Sequence, residues 1–240
     1  MSSPKPRHLS TPVLTAIAVL LGAVVGAWWV YGTNSGSGNG YPVESNQATL
    51  SSDDRECAAK SELASVLKPL VRGEVAAMSI RQPVENTPAL NFLDEAGTPT
   101  SLNDFAGQVL LVNLWATWCA PCRAEMPSLA KLQSDLGGED FKVLAINIDT
   151  GDQVKPRAFL EEIGVSNLGL YQDNTMEVFN TFKRKGLALG LPATMLVDRQ
   201  GCLFGVMNGP AEWASEDGFA LVKKMIEISG EKPSVPVSDY

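Results

Sequence analysis

The 240-residue sequence is 45% hydrophobic with a net charge of −8, enough apolar material for a full-sized core and too acidic to point to nucleic acid as a partner. Lys5 and Arg7 precede the first apolar run and every Asp and Glu follows it, so the rest of the chain is more acidic still. The one histidine, His8, stands in the amino-terminal tail, which removes histidine-based triads and zinc sites from the folded body.

No Asp, Glu, Lys or Arg lies between Arg7 and Glu44, and Val13 to Val30 is largely apolar, a run just long enough to span bilayer hydrocarbon. We therefore expect a tail over 1–11, a transmembrane anchor over 12–31 and a linker over 32–52. Lys5 and Arg7 at the start of the anchor put the tail in the cytoplasm and everything after Tyr31 outside, and Trp28, Trp29 and Tyr31 mark the exit as an interfacial belt would. A cleaved secretory signal is the alternative, and it too exports the remainder of the chain. The stretch GTNSGSGNG has the composition of a flexible tether reaching roughly 15 to 18 Å.

After Asp53, read as an N-cap with Glu56 three residues on, Ala59, Leu63, Val66, Leu67 and Leu70 fall at helical spacing until Gly73, so a helix is expected over 53–73. From Ala89 strands and helices alternate, within a domain expected over 81–229. ALNFLD, VLLVNLWA, FKVLAINID, TMLVD and CLFGVM read as strands, the last two joined by a hairpin turn at Asp198 to Gly201. Ala120 to Leu136, Val154 to Ile163, a stretch around Met176, Phe179 and Phe182, and Glu212 to Ile228 read as helices. The fold class this predicts is α/β, a central mixed sheet with helices on both faces, followed by a disordered tail over 230–240.

Trp118-Cys119-Ala120-Pro121-Cys122 follows the apolar strand VLLVNLW and opens the next helix. In that context a CxxC points to redox chemistry. Cys119 falls where unpaired N–H groups and the helix dipole favour a thiolate, which makes it the expected nucleophile; Cys122, one turn on, is placed to resolve a mixed disulfide. A zinc half-site would need two more ligands nearby, and neither a metal nor a cofactor is expected. Glu125 lies one turn after Cys122 on the same helical face. Buried, it would exchange a proton with Cys122; solvated, it would be a surface charge. Pro192 enters a strand that reads as central, where a missing N–H is awkward, and a cis Leu191–Pro192 bond would remove the difficulty.

NLWATWCAPCRAEMP, AINIDT, GLPATMLVD and QGC together resemble the TlpA-type proteins, the membrane-tethered branch of the thioredoxin superfamily that includes ResA-like and CcmG-like members. The likeness runs over about 54–229, with GEVAAM and GPAEWASED adding to it. It implies a thioredoxin fold, Cys119 as nucleophile, Cys122 as resolving cysteine, Pro192 as the cis-proline facing the pair, and Glu125 as the acid that this branch carries after its CxxC. Trp118 and Pro121 belong to the same motif. Where thioredoxin has a buried aspartate this chain has Asn113, an amide that cannot relay protons, so Glu125 is the better candidate for that task.

Cys57 and Cys202 remain. An even cysteine count in an exported chain points to a second, structural disulfide, as in TlpA-type proteins, with free buried thiols as the alternative. Against the bond, Cys57 stands about 140° around an ideal helix from the centre of the apolar stripe.

With Ala120 and Pro121 between the cysteines rather than a histidine, the thiolate is stabilised less than in strong oxidants, so the dithiol is expected to act as a reductant. The resemblance implies an enzyme in the bacterial inner membrane, single-pass, with its catalytic domain in the periplasm. It also implies client proteins with paired cysteines, a copper chaperone or cytochrome oxidase subunit, or the apocytochrome c pathway, and electrons from a membrane thiol relay of the DsbD or CcdA type. The rival readings are a Cu(I)-binding metallochaperone, since cysteine pairs bind Cu(I), and a general thiol oxidant or isomerase.

Overall fold

The computed structural model describes residues 51–230, and its centre is a strand buried along its whole length. Every residue of β4 (Val109–Trp115) is covered, because successive side chains of a strand point to opposite faces and here both faces carry helices. Val109, Leu111 and Trp115 join one core cluster, while Leu110, Val112 and Leu114 join a second. The first cluster receives α3 (Ala120–Leu136) through Met126, Leu129 and Leu132, α4 (Val154–Glu162) through Phe159 and Leu160, and α6 (Glu216–Ile228) through Leu221, Val222 and Met225. The second receives Val178 and Phe182 of α5 (Glu177–Arg184). Asn113 shares the parity of Leu111 and Trp115 and therefore faces the α3 side.

Among the described residues eight strands form one mixed sheet in the order β1-β8-β7-β4-β5-β6-β2-β3. The strands are β1 (Ser79–Asn86), β2 (Asn91–Leu93), β3 (Pro99–Ser101), β5 (Phe141–Asn147), β6 (Tyr171–Gln172), β7 (Ala193–Val197) and β8 (Cys202–Asn208). β4 pairs in parallel with β5 and antiparallel with β7, and β7 and β8 are an antiparallel hairpin. Leu114 stands opposite Ala193, and Ala193 opposite Asn208. The end of β4, the start of β7 and the end of β8 thus share one edge of the sheet, and Cys202, at the other end of β8, lies about 20 Å of strand away at roughly 3.3 Å per residue.

Four expectations are corrected. The helix expected over 53–73 is interrupted: α1 (Ser52–Ala59) and the short α2 (Ser61–Ala64) are followed by 3-10 turns at Ser65–Leu70 and Gly73–Val75. Pro69, inside the first 3-10 turn, lacks the N–H that a continuing α-helix needs. Ser51 rather than Asp53 is the N-cap, in a reciprocal capping box with Asp54. The sheet begins with β1 at Ser79, ahead of Ala89, where the first strand is expected. β1 shows no apolar alternation because only Val84 among its eight side chains is buried and Pro83 sits within it, a residue tolerated on an edge strand. Finally, α6 starts at Glu216, capped by the Ser215 hydroxyl, instead of at Glu212.

The tail over 1–11, the anchor over 12–31, nearly all of the linker and nearly all of the tail over 230–240 lie outside the described residues. Among the described residues no helix is long and apolar enough to cross a membrane.

Candidate active site

Where β4 ends, the chain turns through Thr117 and the exposed Trp118 and enters α3 at Cys119. Asp149 fixes the turn, its Oδ2 accepting the Thr117 N–H at 3.0 Å and the Asn147 side chain at 3.1 Å. Cys119 is the N-cap of α3, and its sulfur accepts the Cys122 N–H at 3.2 Å. Pro121 sits in the first turn, where a missing N–H costs no helical bond. The two sulfurs are bonded at 2.08 Å, with Cys119 5% exposed and Cys122 1%. Cys119 is the more exposed of the two, and the free N–H groups and dipole of a helix start favour a thiolate at that position once the bond opens.

The Leu191–Pro192 bond is cis. Pro192 is buried, its carbonyl accepts the Gly209 N–H at 2.9 Å, and the residue after it pairs with Leu114. Register thus brings Pro192 to the sheet edge at which β4 hands over to the cysteine pair.

Glu125 is buried, only 2% exposed. Its Oε1 accepts the Trp213 indole N–H at 2.6 Å and the Ala211 amide at 3.1 Å, and its Oε2 accepts from Asn113 Nδ2 at 3.1 Å. Burial, which disfavours the charged form, outweighs these three hydrogen bonds, which favour it, and the pKa is pushed up from 4.5 to about 7. The carboxyl therefore exists in both protonation states near neutrality. Asn113 also donates to Thr194 Oγ1 at 2.9 Å, and its own Oδ1 is buried without a partner. An amide suits a neighbour that changes protonation: as placed, Nδ2 serves the carboxylate, and turned over, Oδ1 would accept from the acid.

Cys57 and Cys202 are bonded at 2.04 Å and lie 2% and 1% exposed. The break at Lys60 accounts for the angular difficulty, since α1 ends at Ala59 and Cys57 need not share a stripe with Leu63 and Leu67. Lys60 Nζ donates to Asp198 at 2.7 Å and to Gln200 at 3.1 Å, and lies 3.5 Å from Cys202 Sγ. This second disulfide occupies the sheet edge opposite the cysteine pair. Among the described residues no group of three or more His, Cys, Asp or Glu could hold a metal ion.

Sequence reasoning missed Trp213, Ser128 and Asp149. The first stands in GPAEWASED and the last in AINIDT, motifs that carry the resemblance, but neither motif says which side chain meets which.

The AhpC/TSA family profile matches residues 83–204, half of the chain. Thiol-disulfide oxidoreductase ResA of Bacillus subtilis is 27% identical over 148 residues, 61% of this chain and 79% of that protein. Thiol:disulfide interchange protein HelX of Rhodobacter capsulatus is 37% identical over 116 residues, 47% of this chain and 58% of that protein. The thioredoxin domain of a thiol-disulfide oxidoreductase from Bacteroides vulgatus superposes with a TM-score of 0.50 at 25% identity, over 59% of this chain and 96% of that one. With a thioredoxin fold, a CxxC closed at a helix start and these relatives, the chain belongs to the AhpC/TSA family, as a thiol:disulfide oxidoreductase of the TlpA/ResA/CcmG branch.

Proposed function

We propose that this oxidoreductase is an exported, membrane-anchored reductase of particular client cysteines, with Cys119 as nucleophile, Cys122 as resolving cysteine and Glu125 as the proton carrier between them. The observation that carries the reading is the buried carboxyl of Glu125, one helical turn beyond Cys122 and titrating near neutrality. In the reduced protein the Cys119 thiolate attacks one sulfur of a client disulfide and releases the other as a thiolate. The Cys122 thiol then passes its proton to the Glu125 carboxylate, and the Cys122 thiolate attacks the Cys119 sulfur. The Cys119–Cys122 bond closes, as it is here, and the client leaves as a dithiol with two electrons and two protons, one the Cys122 proton returned by the Glu125 acid and the other from water.

The apolar run at 13–30 supports an inner-membrane anchor with the domain on the periplasmic side. The likeness to TlpA-type proteins supports clients in copper-site assembly of cytochrome oxidase, or else in the apocytochrome c pathway, and a DsbD- or CcdA-type relay as electron donor. Ala120 and Pro121 between the cysteines support a reducing couple.

A Cys122→Ser variant cannot resolve, so it should accumulate mixed disulfides on Cys119 with periplasmic proteins that carry paired cysteines. Equilibration of the wild type against glutathione should give a potential nearer the roughly −270 mV of thioredoxin than the roughly −120 mV of DsbA. A potential above about −180 mV, or mixed disulfides that form on Cys122 in a Cys119→Ser variant instead, would overturn the reading.

A further inference from the structure

We propose that Trp213 is a positioning residue for thiol–disulfide exchange, its buried indole N–H fixing the orientation and protonation of the Glu125 carboxyl from outside the helix that carries the cysteines. The proposal rests on the proton-carrying role of Glu125 and adds what controls it.

A buried indole usually finds some acceptor, so a partner alone would mean little. The contrast with Trp115 gives the contact its weight. Trp115 packs in the same core cluster, and its buried indole N–H has no hydrogen-bond partner. The indole N–H of Trp213, by contrast, is directed at a carboxylate oxygen 2.6 Å away. The same oxygen accepts the Ala211 N–H at 3.1 Å, so two donors from one short segment converge on one side of the carboxyl.

That segment, between β8 and α6, is fastened from both sides. Ser128, on α3, donates from its hydroxyl to the Glu125 carbonyl at 2.9 Å and accepts the Trp213 backbone N–H at 3.2 Å. At the other end Gly218 of α6 lies so close that a Cβ there would stand 2.4 Å from the Trp213 carbonyl oxygen. The indole is 0% exposed. Trp213 therefore has little freedom to follow a moving carboxyl; the carboxyl is held by it.

The groups that meet the Glu125 carboxyl are the Trp213 indole and Ala211 amide from this segment and the Asn113 amide from β4. None of them titrates. Cys122, one turn back on α3, is the titratable group on the same helical face. A donor to the ionised form favours ionisation, so losing the indole N–H raises the pH at which Glu125 becomes a base.

The test is stopped-flow release from a preformed mixed disulfide across pH, with a parallel ¹³C NMR titration of the Glu125 carboxyl, on wild type, Trp213→Phe and Glu125→Gln. A fourth protein carries benzothienylalanine at 213, which keeps the bicyclic shape and replaces the N–H with sulfur, so that lost packing is separated from the lost donor. For both changes at 213 the inflection in release rate and the Glu125 titration should move upward together by about one pH unit, with initial attack by Cys119 changing much less. An inflection that stays in place in both, while Glu125→Gln abolishes it, overturns the role of Trp213 and leaves that of Glu125 standing. A shift with Phe and none with benzothienylalanine assigns the effect to packing and also overturns it. A wild-type profile in Glu125→Gln removes the Glu125 reading, and this proposal with it.

Discussion

One chain holds the same covalent bond in two settings. Cys119–Cys122 closes a separation of 3 residues at a helix start, beside an exposed tryptophan and one turn from a carboxyl that titrates near neutrality. Cys57–Cys202 closes a separation of 145 residues between two buried sulfurs, next to a lysine whose charge is spent on Asp198. In the chain-entropy account the long closure stabilises the fold by about 5 kcal/mol and the short one by about 2. The first bond therefore opens with little loss of fold and has a buried carboxyl one turn away, while opening the second releases the amino-terminal segment from β8. Reactivity follows from loop length and surroundings, since the bond itself is the same.

The largest effect should come from removing the long closure. A Cys57→Ser, Cys202→Ser double variant should lose about 5 kcal/mol of unfolding free energy in urea and keep the wild-type potential at Cys119 and Cys122. A changed potential would mean that the two bonds are coupled, and the contrast between them would fail. In the wild type, graded reduction followed by alkylation and mass spectrometry should label Cys119 and Cys122 under conditions that leave Cys57 and Cys202 unlabelled.

A smaller effect attaches to the carboxyl beside the reactive bond. Glu125 binds a proton more readily folded, at about 7, than its ordinary 4.5 allows in the unfolded chain. Between those values the native state holds the extra proton, so the contribution to stability is full below about pH 4.5 and is lost as pH rises through about 7. The raised value corresponds to about 3 kcal/mol. Glu125→Gln lacks this loss, and the difference in stability between variant and wild type should grow in the variant's favour from pH 4.5 to 8. Parallel stability curves would show that the buried carboxyl does not titrate in this range.

The smallest effect belongs to Lys60. Lys60→Met deletes the partner of an Asp198 carboxylate whose side chain is 1% exposed, but that carboxylate keeps the Gln200 and Cys202 N–H groups at 2.9 and 2.8 Å. With the lysine partly exposed, a loss of about 1–2 kcal/mol is expected, with turnover at Cys119 unchanged. A change in turnover would join the two sheet edges that the comparison keeps apart.

Much of this was legible along the chain because the information is local. The apolar run of VLLVNLW, interrupted only by Asn113, the helical spacing of Met126, Leu129 and Leu132, the hairpin turn at Asp198 to Gly201 and the CxxC at a strand-to-helix junction are all settled within a few residues of one another. β1 was not legible, because only Val84 of its eight side chains is buried and a proline sits inside it, so there is no apolar alternation to read. The helix expected over 53–73 failed for the opposite reason: its apolar stripe is genuine, but Pro69 breaks the hydrogen-bond ladder and Lys60 ends α1.

The sequence by itself determined the α/β order, the buried central strand and the identity of the cysteine pair, since backbone propensity, side-chain period and the start of a helix act over one or two turns. Only the tertiary structure decided whether Glu125 is a surface charge or a buried acid. That depends on Trp213, 88 residues away, and on Asn113 from the facing strand, and a carboxyl's pKa is set by the solvent it loses and the donors it gains in three dimensions. The pairing of Lys60 with Asp198 across 138 residues is of the same kind. Contacts of this range leave no period in the chain, because the residues that make them are neighbours only once the sheet has brought its edges together.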